Sequence, residues 1–86
     1  IVLEMMPSKL SAKITKELTI PTIGIGAGPF TDGQILVLQD LLGMSKDFQP
    51  KFLRKYLDGF ELIMNSLNKF NDDVKNQNYP NKDESY

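Results

Sequence analysis

Three short apolar runs, separated by one amphipathic segment and one glycine-rich loop, constrain the fold of this chain more than any other feature. Residues 1–5 form the first run, apolar except for Glu4. Ile20-Pro21-Thr22-Ile23-Gly24-Ile25 forms the second, where Pro21 fits only at the entry to a strand because it cannot donate into the ladder. Ile35-Leu36-Val37-Leu38 forms the third, and four consecutive apolar residues are the pattern of a strand covered on both faces. So short a run also suits a helical segment; the strand is the preferred reading. Between the first two runs, Leu10, Ile14 and Leu18 recur every four residues, with Lys9, Lys13, Lys16 and Glu17 elsewhere around the turn. That spacing predicts a helix over 9–18 with one buried stripe, and Ser8, after the break at Pro7, is its expected N-cap. Residues 26–33 are turn formers. Strand, helix, strand, loop, strand is the order of a parallel α/β architecture.

The second half changes character. Residues 51–56 are predicted helical, with Pro50 near the first turn. A longer helix follows, carrying Phe60, Ile63, Met64, Leu67, Phe70 and Val74 on one face, and Gly59 is the expected joint between the two. Beyond Lys75 the residues are polar and turn-prone, so an extended or poorly ordered tail is expected unless it docks on a partner. The chain therefore divides into 1–43 (strands and loops), 44–77 (C-terminal helices) and 78–86 (polar tail), within a single domain.

Parallel strands that are apolar on both faces need cover on both, and one intervening helix cannot supply it. Such strands belong to larger sheets, either doubly wound or closed into a (β/α)8 barrel of roughly 250 residues, of which this chain would be about a third. The chain opens on Ile1-Val2-Leu3, which reads as a strand already in progress and neither as a signal peptide nor as a membrane span. The expectation is a piece of a larger barrel, not a complete fold by itself.

Composition narrows the chemistry. The net charge is −1, which offers no field to gather nucleic acid or an anionic membrane. There is no cysteine, which fits a cytoplasmic setting and excludes a disulfide framework. There is no histidine either, so the commonest general base and the commonest transition-metal ligand are both absent. Acid–base work then falls to a carboxylate, a lysine or a tyrosine.

Glu4 is the leading candidate. A charge within an apolar strand is costly unless paired, and Glu4 stands at the C-terminal end of its strand, the active-site end in parallel sheets and barrels. The plain alternative is a carboxylate paired with a Lys or Arg of a neighbouring strand. Gly24-Ile25-Gly26-Ala27-Gly28 is the second candidate: glycines at a strand end let backbone approach a ligand and can hold an oxyanion, although Pro29 breaks the dinucleotide fingerprint. Its alternative is a tight turn that needs positive φ angles. Thr31, Asp32 and Asp40 are better read as caps and loop hydrogen bonds, with Asp40 closing the third strand as Glu4 closes the first.

Taken in order, Val2-Leu3-Glu4-Met5-Met6-Pro7, Ile20-Pro21-Thr22-Ile23-Gly24-Ile25-Gly26-Ala27-Gly28 and Thr31-Asp32-Gly33-Gln34-Ile35-Leu36-Val37 resemble the C-terminal third of the ketopantoate hydroxymethyltransferase family. Asp40-Leu41-Leu42-Gly43, Pro50-Lys51-Phe52 and Tyr79-Pro80 fall where that family has similar residues. The resemblance implies a (β/α)8 barrel to which this chain supplies roughly strands six to eight and the C-terminal helices. It implies transfer of a one-carbon unit from 5,10-methylenetetrahydrofolate to 3-methyl-2-oxobutanoate, giving 2-dehydropantoate for pantothenate and coenzyme A synthesis. A Mg²⁺ ion chelates the keto acid in that family, with its ligands upstream of the residues present here, and no residue of this chain inherits a metal role. Glu4 matches the family's proton acceptor, which forms the enolate by removing the C3 proton, a task a carboxylate in apolar surroundings can perform near neutral pH. A cytoplasmic homo-oligomer, a decamer, is also implied, as is the missing N-terminal part of the barrel as partner. The family often ends in an acidic residue followed by His-Ser-Phe, whereas this chain ends Asp83-Glu84-Ser85-Tyr86, so no active-site role passes to the tail. Two other readings stand beside this one: a barrel enzyme that binds a phosphorylated substrate at the Gly24–Gly28 loop, and a non-catalytic oligomerisation segment built on the apolar helix face.

Overall fold

The computed structural model describes residues 1–86. Three parallel strands form one sheet in the order β1 (Val2–Glu4), β2 (Ile23–Ile25), β3 (Gly33–Gln34). Val2 pairs with Ile23, Leu3 with Gly24 and Glu4 with Ile25, while Ile23 and Gly24 pair on the far side with Gly33 and Gln34. The α1 helix (Ser8–Glu17) joins β1 to β2. It begins beside Gly28, past the end of β2, and its Thr15 reaches Thr22, just before that strand starts. The helix thus runs antiparallel along β2 and covers one face of the sheet. Residues in register share a face, so burial of Leu3 and Gly24 marks the covered side. Val2 and Glu4 lie on the other, where nothing in the chain covers them.

Thr22 is the joint of this unit. Its hydroxyl lies 3.0 Å from a carboxylate oxygen of Asp32, 3.2 Å from the Asp32 amide and 2.9 Å from the Thr15 hydroxyl. One hydroxyl has one proton, which goes to the carboxylate, so Thr15 and the Asp32 amide donate to Thr22 Oγ1. The Thr22 amide donates to the same Asp32 oxygen at 2.8 Å. Helix, strand entry and the approach to β3 meet at one fully buried side chain with every polar atom satisfied.

Several expectations change in detail. Ser8 is the first residue of α1 and not its cap; Pro7 holds the cap position without a side-chain bond, because the Ser8 side chain packs against Gly28. The face of α1 turned to the sheet carries Ser11 and Thr15, while Leu10 and Leu18 stay exposed. Close approach at Gly28 leaves room only for small side chains. The second strand is confined to Ile23–Ile25.

The expected third strand at residues 35–38 is displaced. The Ile35 amide still donates to Gly24 O at 3.0 Å, but Gly26 then turns β2 away with φ +67 and leaves Leu36 and Val37 without a strand partner. Leu38 opens a one-turn helix, α2 (Leu38–Leu41). Asp40 therefore lies in the first turn of a helix, where the macrodipole favours a carboxylate, and not at a strand end.

Residues 51–56 are not helical. Leu53 closes a turn on Pro50, and the Tyr56, Gly59 and Phe60 amides donate to the carbonyls of Leu41, Leu42 and Gly43 at 2.8, 2.8 and 2.9 Å. Those carbonyls are the orphans at the end of α2, and satisfying them holds residues 51–58 as a strap. The two backbones approach so closely at Gly43 (φ +64) that a methyl there would strike the Leu57 carbonyl.

The last helix, α3 (Gly59–Lys75), forms as the periodicity predicts. It ends in a Schellman arrangement, with Gln77 at φ +57 and the Asn78 amide on the Asp73 carbonyl at 2.8 Å. The tail is more ordered than its composition predicts. Tyr79 packs edge-on against Phe70 with ring centroids 5.5 Å apart. Asn81 and Glu84 form a capping box around a 3₁₀ turn over Lys82–Glu84.

Along α3, Leu62, Ile63, Met64, Leu67, Phe70 and Val74 are all exposed. Only 7 of 86 residues are buried, and the radius of gyration is 20.9 Å, against roughly 12 Å for a compact chain of this length. No helix is long and apolar enough to cross a membrane.

The Thr22 joint makes a pH prediction. The Thr22 amide and then its hydroxyl hold the Asp32 carboxyl below its ordinary value of 3.8. The stabilisation is thus fully present above pH 3.8 and lost as pH falls through the lower folded value. In a protein carrying this sequence, the Thr22 amide proton resonance is expected to titrate with a midpoint below 3.8. A midpoint at or above that value would show that Thr22 does not hold the Asp32 carboxylate.

Candidate active site

Parallel pairing in register sets the C-terminal ends of β1 and β2 side by side, with Glu4 beside Ile25. Glu4 is exposed on the uncovered face. The neighbouring strand β2 reads Ile-Gly-Ile, with no lysine or arginine to pair with it. Within these residues, then, the carboxylate is presented and not neutralised, among the apolar side chains of Val2, Ile23 and Ile25 that share its face.

The backbone turns sharply just after it. Met5 adopts φ +49, a left-handed conformation that costs a residue with a β-carbon of order 1–3 kcal/mol. Its amide donates to the Ile25 carbonyl at 2.9 Å, so the turn is tied to the end of β2. Pro7 then accepts the Leu10 and Ser11 amides, each at 3.0 Å, and the chain passes directly into α1.

The glycine loop occupies the same edge of the sheet. Gly26 and Gly28 both have positive φ, +67 and +79, and each meets a side chain where a β-carbon would stand. At Gly26 the neighbour is the Phe52 ring, and at Gly28 it is Ser8. The loop is braced from within: Gln34 Nε2 donates to Gly28 O at 2.8 Å and to Thr31 Oγ1 at 2.9 Å, and Thr31 Oγ1 donates to Gly33 O at 2.8 Å. Thr31 is thus a loop hydrogen bond, as its residue type suggests. Asp32 is a clamp on Thr22 ten residues back, and not a local cap. Tight turning and close packing account for Gly26 and Gly28.

Beyond the loop an open groove of about 680 Å³ runs along Gly26, Gly28, Gln34, Phe52, Arg54 and Tyr56. Phe52, Arg54 and Tyr56 come to this edge because residues 51–58 form a strap, which helical periodicity does not anticipate. Glu4 does not line the groove. The structure therefore brings Glu4 and the glycine loop to one edge of the sheet, and sets Asp40 apart in α2.

Metal chemistry finds no seat in these residues. No cluster of three Asp, Glu, His or Cys side chains is present that could hold an ion. Asp32 is committed to Thr22, and Glu4 has no carboxylate neighbour on β2. A Mg²⁺ ion, which prefers an octahedral shell of oxygens, does not fit the residues of this chain.

Comparison with known proteins gives a consistent picture. A profile of ketopantoate hydroxymethyltransferase matches residues 1–82. The chain is 59% identical over 80 residues to 3-methyl-2-oxobutanoate hydroxymethyltransferase of Coxiella burnetii strain CbuK_Q154, covering 93% of this chain and 30% of that protein. It is 55% identical to the enzyme of that name from Bdellovibrio bacteriovorus, over 100% of this chain and 33% of that protein. For Chlorobaculum tepidum the identity is 51%, over 100% of this chain and 31% of that protein. The chain spans about a third of the length of these relatives. With a matching profile along nearly its whole length and relatives above half identity, the chain belongs to the ketopantoate hydroxymethyltransferase family.

Proposed function

We propose that this chain is the catalytic-base segment of an enzyme that transfers a hydroxymethyl group from 5,10-methylenetetrahydrofolate to 3-methyl-2-oxobutanoate, giving 2-dehydropantoate for pantothenate and coenzyme A synthesis. The observation that carries the reading is Glu4: a carboxylate at the C-terminal end of a parallel strand, on the face the chain leaves uncovered, in a segment the family profile matches. In the complete protein that face becomes the interior of a (β/α)8 barrel. The outer edges of β1 and β3 pair with further strands, and the extended residues after Gln34 gain the neighbour they lack here. The one-carbon donor and the keto acid meet at the C-terminal ends of the strands, as in other barrels of this kind.

Glu4 takes the proton from C3 of the keto acid. The C–H electron pair moves into the bond toward C2, charge develops on the carbonyl oxygen, and C3 becomes the nucleophile toward the one-carbon unit. Closing the barrel over Val2, Ile23 and Ile25 would exclude water from the site of proton transfer. A Mg²⁺ ion chelating the keto acid would take its oxygen ligands from strands outside these residues.

The uncovered stripe on α3 supports a second role that coexists with the first, assembly into a homo-oligomer. The glycine loop lends no comparable support to a phosphorylated substrate, because the positions of Gly26 and Gly28 are met by Phe52 and Ser8.

Two outcomes are expected. In the full-length enzyme, Glu4→Gln slows hydrogen–deuterium exchange at C3 of 3-methyl-2-oxobutanoate by about 10²–10⁴-fold while the keto acid still binds. Wild-type exchange in that variant removes Glu4 from the role of base. For the 86-residue chain alone, with 7 residues buried, calorimetry is expected to show no cooperative transition. A sharp unfolding endotherm from the isolated chain would mean that the exposed faces need no cover.

A further inference from the structure

Resting on the reading of Glu4 as base, we infer that Gly28 and Ser8 are a positioning pair that fixes where the Glu4 carboxylate stands. The segment that carries Glu4 into α1 is held at two points by one stretch of chain. At one point the Met5 amide donates to the Ile25 carbonyl at 2.9 Å, directly after Glu4. At the other, Ser8 packs on Gly28, three residues further along the same loop. Between them only Met6 and Pro7 intervene, and Pro7 is pinned by two amide bonds at 3.0 Å and by the Ser11 hydroxyl at 3.3 Å. So short a link cannot absorb a displacement at Ser8, and the displacement is passed back to Met5 and Glu4.

The contact at Gly28 is unusually close. A β-carbon there would stand 2.9 Å from the Ser8 Cα and nearer still to its Oγ. Backbone is among the atoms met, so a flexible side-chain tip cannot simply swing aside. The other end of the contact is equally confined. Gly28 sits at φ +79, its carbonyl is held by Gln34 at 2.8 Å, and Gln34 is anchored in turn on Thr31. The loop is therefore a braced anvil, and Ser8 is the part that must move. The third glycine of the loop acts on the chemistry through the neighbouring strand's turn, without touching substrate.

The test uses the full-length enzyme and reads C3 exchange of 3-methyl-2-oxobutanoate, with keto-acid affinity by calorimetry and folding by circular dichroism. Gly28→Ala is expected to slow exchange by roughly 100-fold, the penalty of a misplacement near 1 Å, while keto-acid affinity is kept. Adding Ser8→Gly to that variant removes the Oγ and Cβ that the new methyl meets and is expected to recover part of the lost rate, while the Ser8 Cα at 2.9 Å and the left-handed φ at position 28 keep the remainder from returning. Slowed exchange with keto-acid affinity and circular dichroism unchanged separates a misplaced base from a folding defect. Ser8→Val crowds Gly28 from the other side and leaves the backbone at position 28 alone. It is expected to reproduce the slowing, and decides the matter if Gly28→Ala does not fold. Wild-type exchange in Ser8→Val, or a loss in Gly28→Ala that the second change leaves wholly unrepaired, overturns the inference. Glu4→Gln measured alongside separates the two levels: normal exchange there defeats the base reading itself, whereas its loss beside a normal Ser8→Val defeats only the positioning pair.

Discussion

Parallel pairing in register, locked at one end by Thr22, is the constraint on which the other features depend. A threonine with one hydroxyl proton engages a helix hydroxyl, a loop amide and a carboxylate together, and the backbone amide of the same residue holds that carboxylate a second time. The strand entry, the helix before it and the loop after it cannot drift independently. An unpaired hydroxyl or amide in this fully buried position would cost about 1–3 kcal/mol, so the network is retained as a whole or lost as a whole. Register then carries order to the opposite edge, where Glu4 and Ile25 end their strands together.

At that opposite edge the requirements invert. The base of the sheet is closed and satisfied, whereas the C-terminal edge carries an exposed carboxylate, a left-handed methionine and two left-handed glycines in adjoining turns. Strain and an uncompensated charge gathered at one end of a sheet are what a reaction centre requires, because neither survives unless the surroundings hold it. Gly28 against Ser8 and Met5 against Ile25 supply the hold. Family membership gives the arrangement its meaning. In the reaction proposed for Glu4, a carboxylate base would meet a carbon acid in a defined pose, and rigid turns on either side of it serve that need better than a mobile loop.

Much of this was legible in the residues. The helix expected over 9–18, the long helix carrying the Phe60–Val74 stripe, the parallel order and the position of Glu4 at a strand end all follow from periodicity and turn chemistry. Misplaced features share one cause, which is that they depend on contacts between distant segments. Leu36 and Val37 lack a strand partner once Gly26 turns β2 away, and no local pattern discloses that. Residues 51–56 have helical composition, yet Leu53 closes a turn on Pro50 and the Tyr56 amide goes to the Leu41 carbonyl at the end of α2, which decides the matter against a helix. Ser8 has the chemistry of a cap but spends its side chain on Gly28. Leu10 and Leu18 keep the spacing of a buried stripe while remaining exposed, because the face of α1 turned to the sheet carries Ser11 and Thr15.

In the proposed reaction the carboxylate at the end of β1 faces the reacting carbon. A crystal structure of the full-length enzyme with 3-methyl-2-oxobutanoate bound tests it most directly. The expected result is a Glu4 carboxylate oxygen about 3–3.5 Å from C3, reached from the face that carries Val2. A Glu4 side chain turned away from the keto acid, or bound to a lysine or arginine of an adjoining strand, would contradict it.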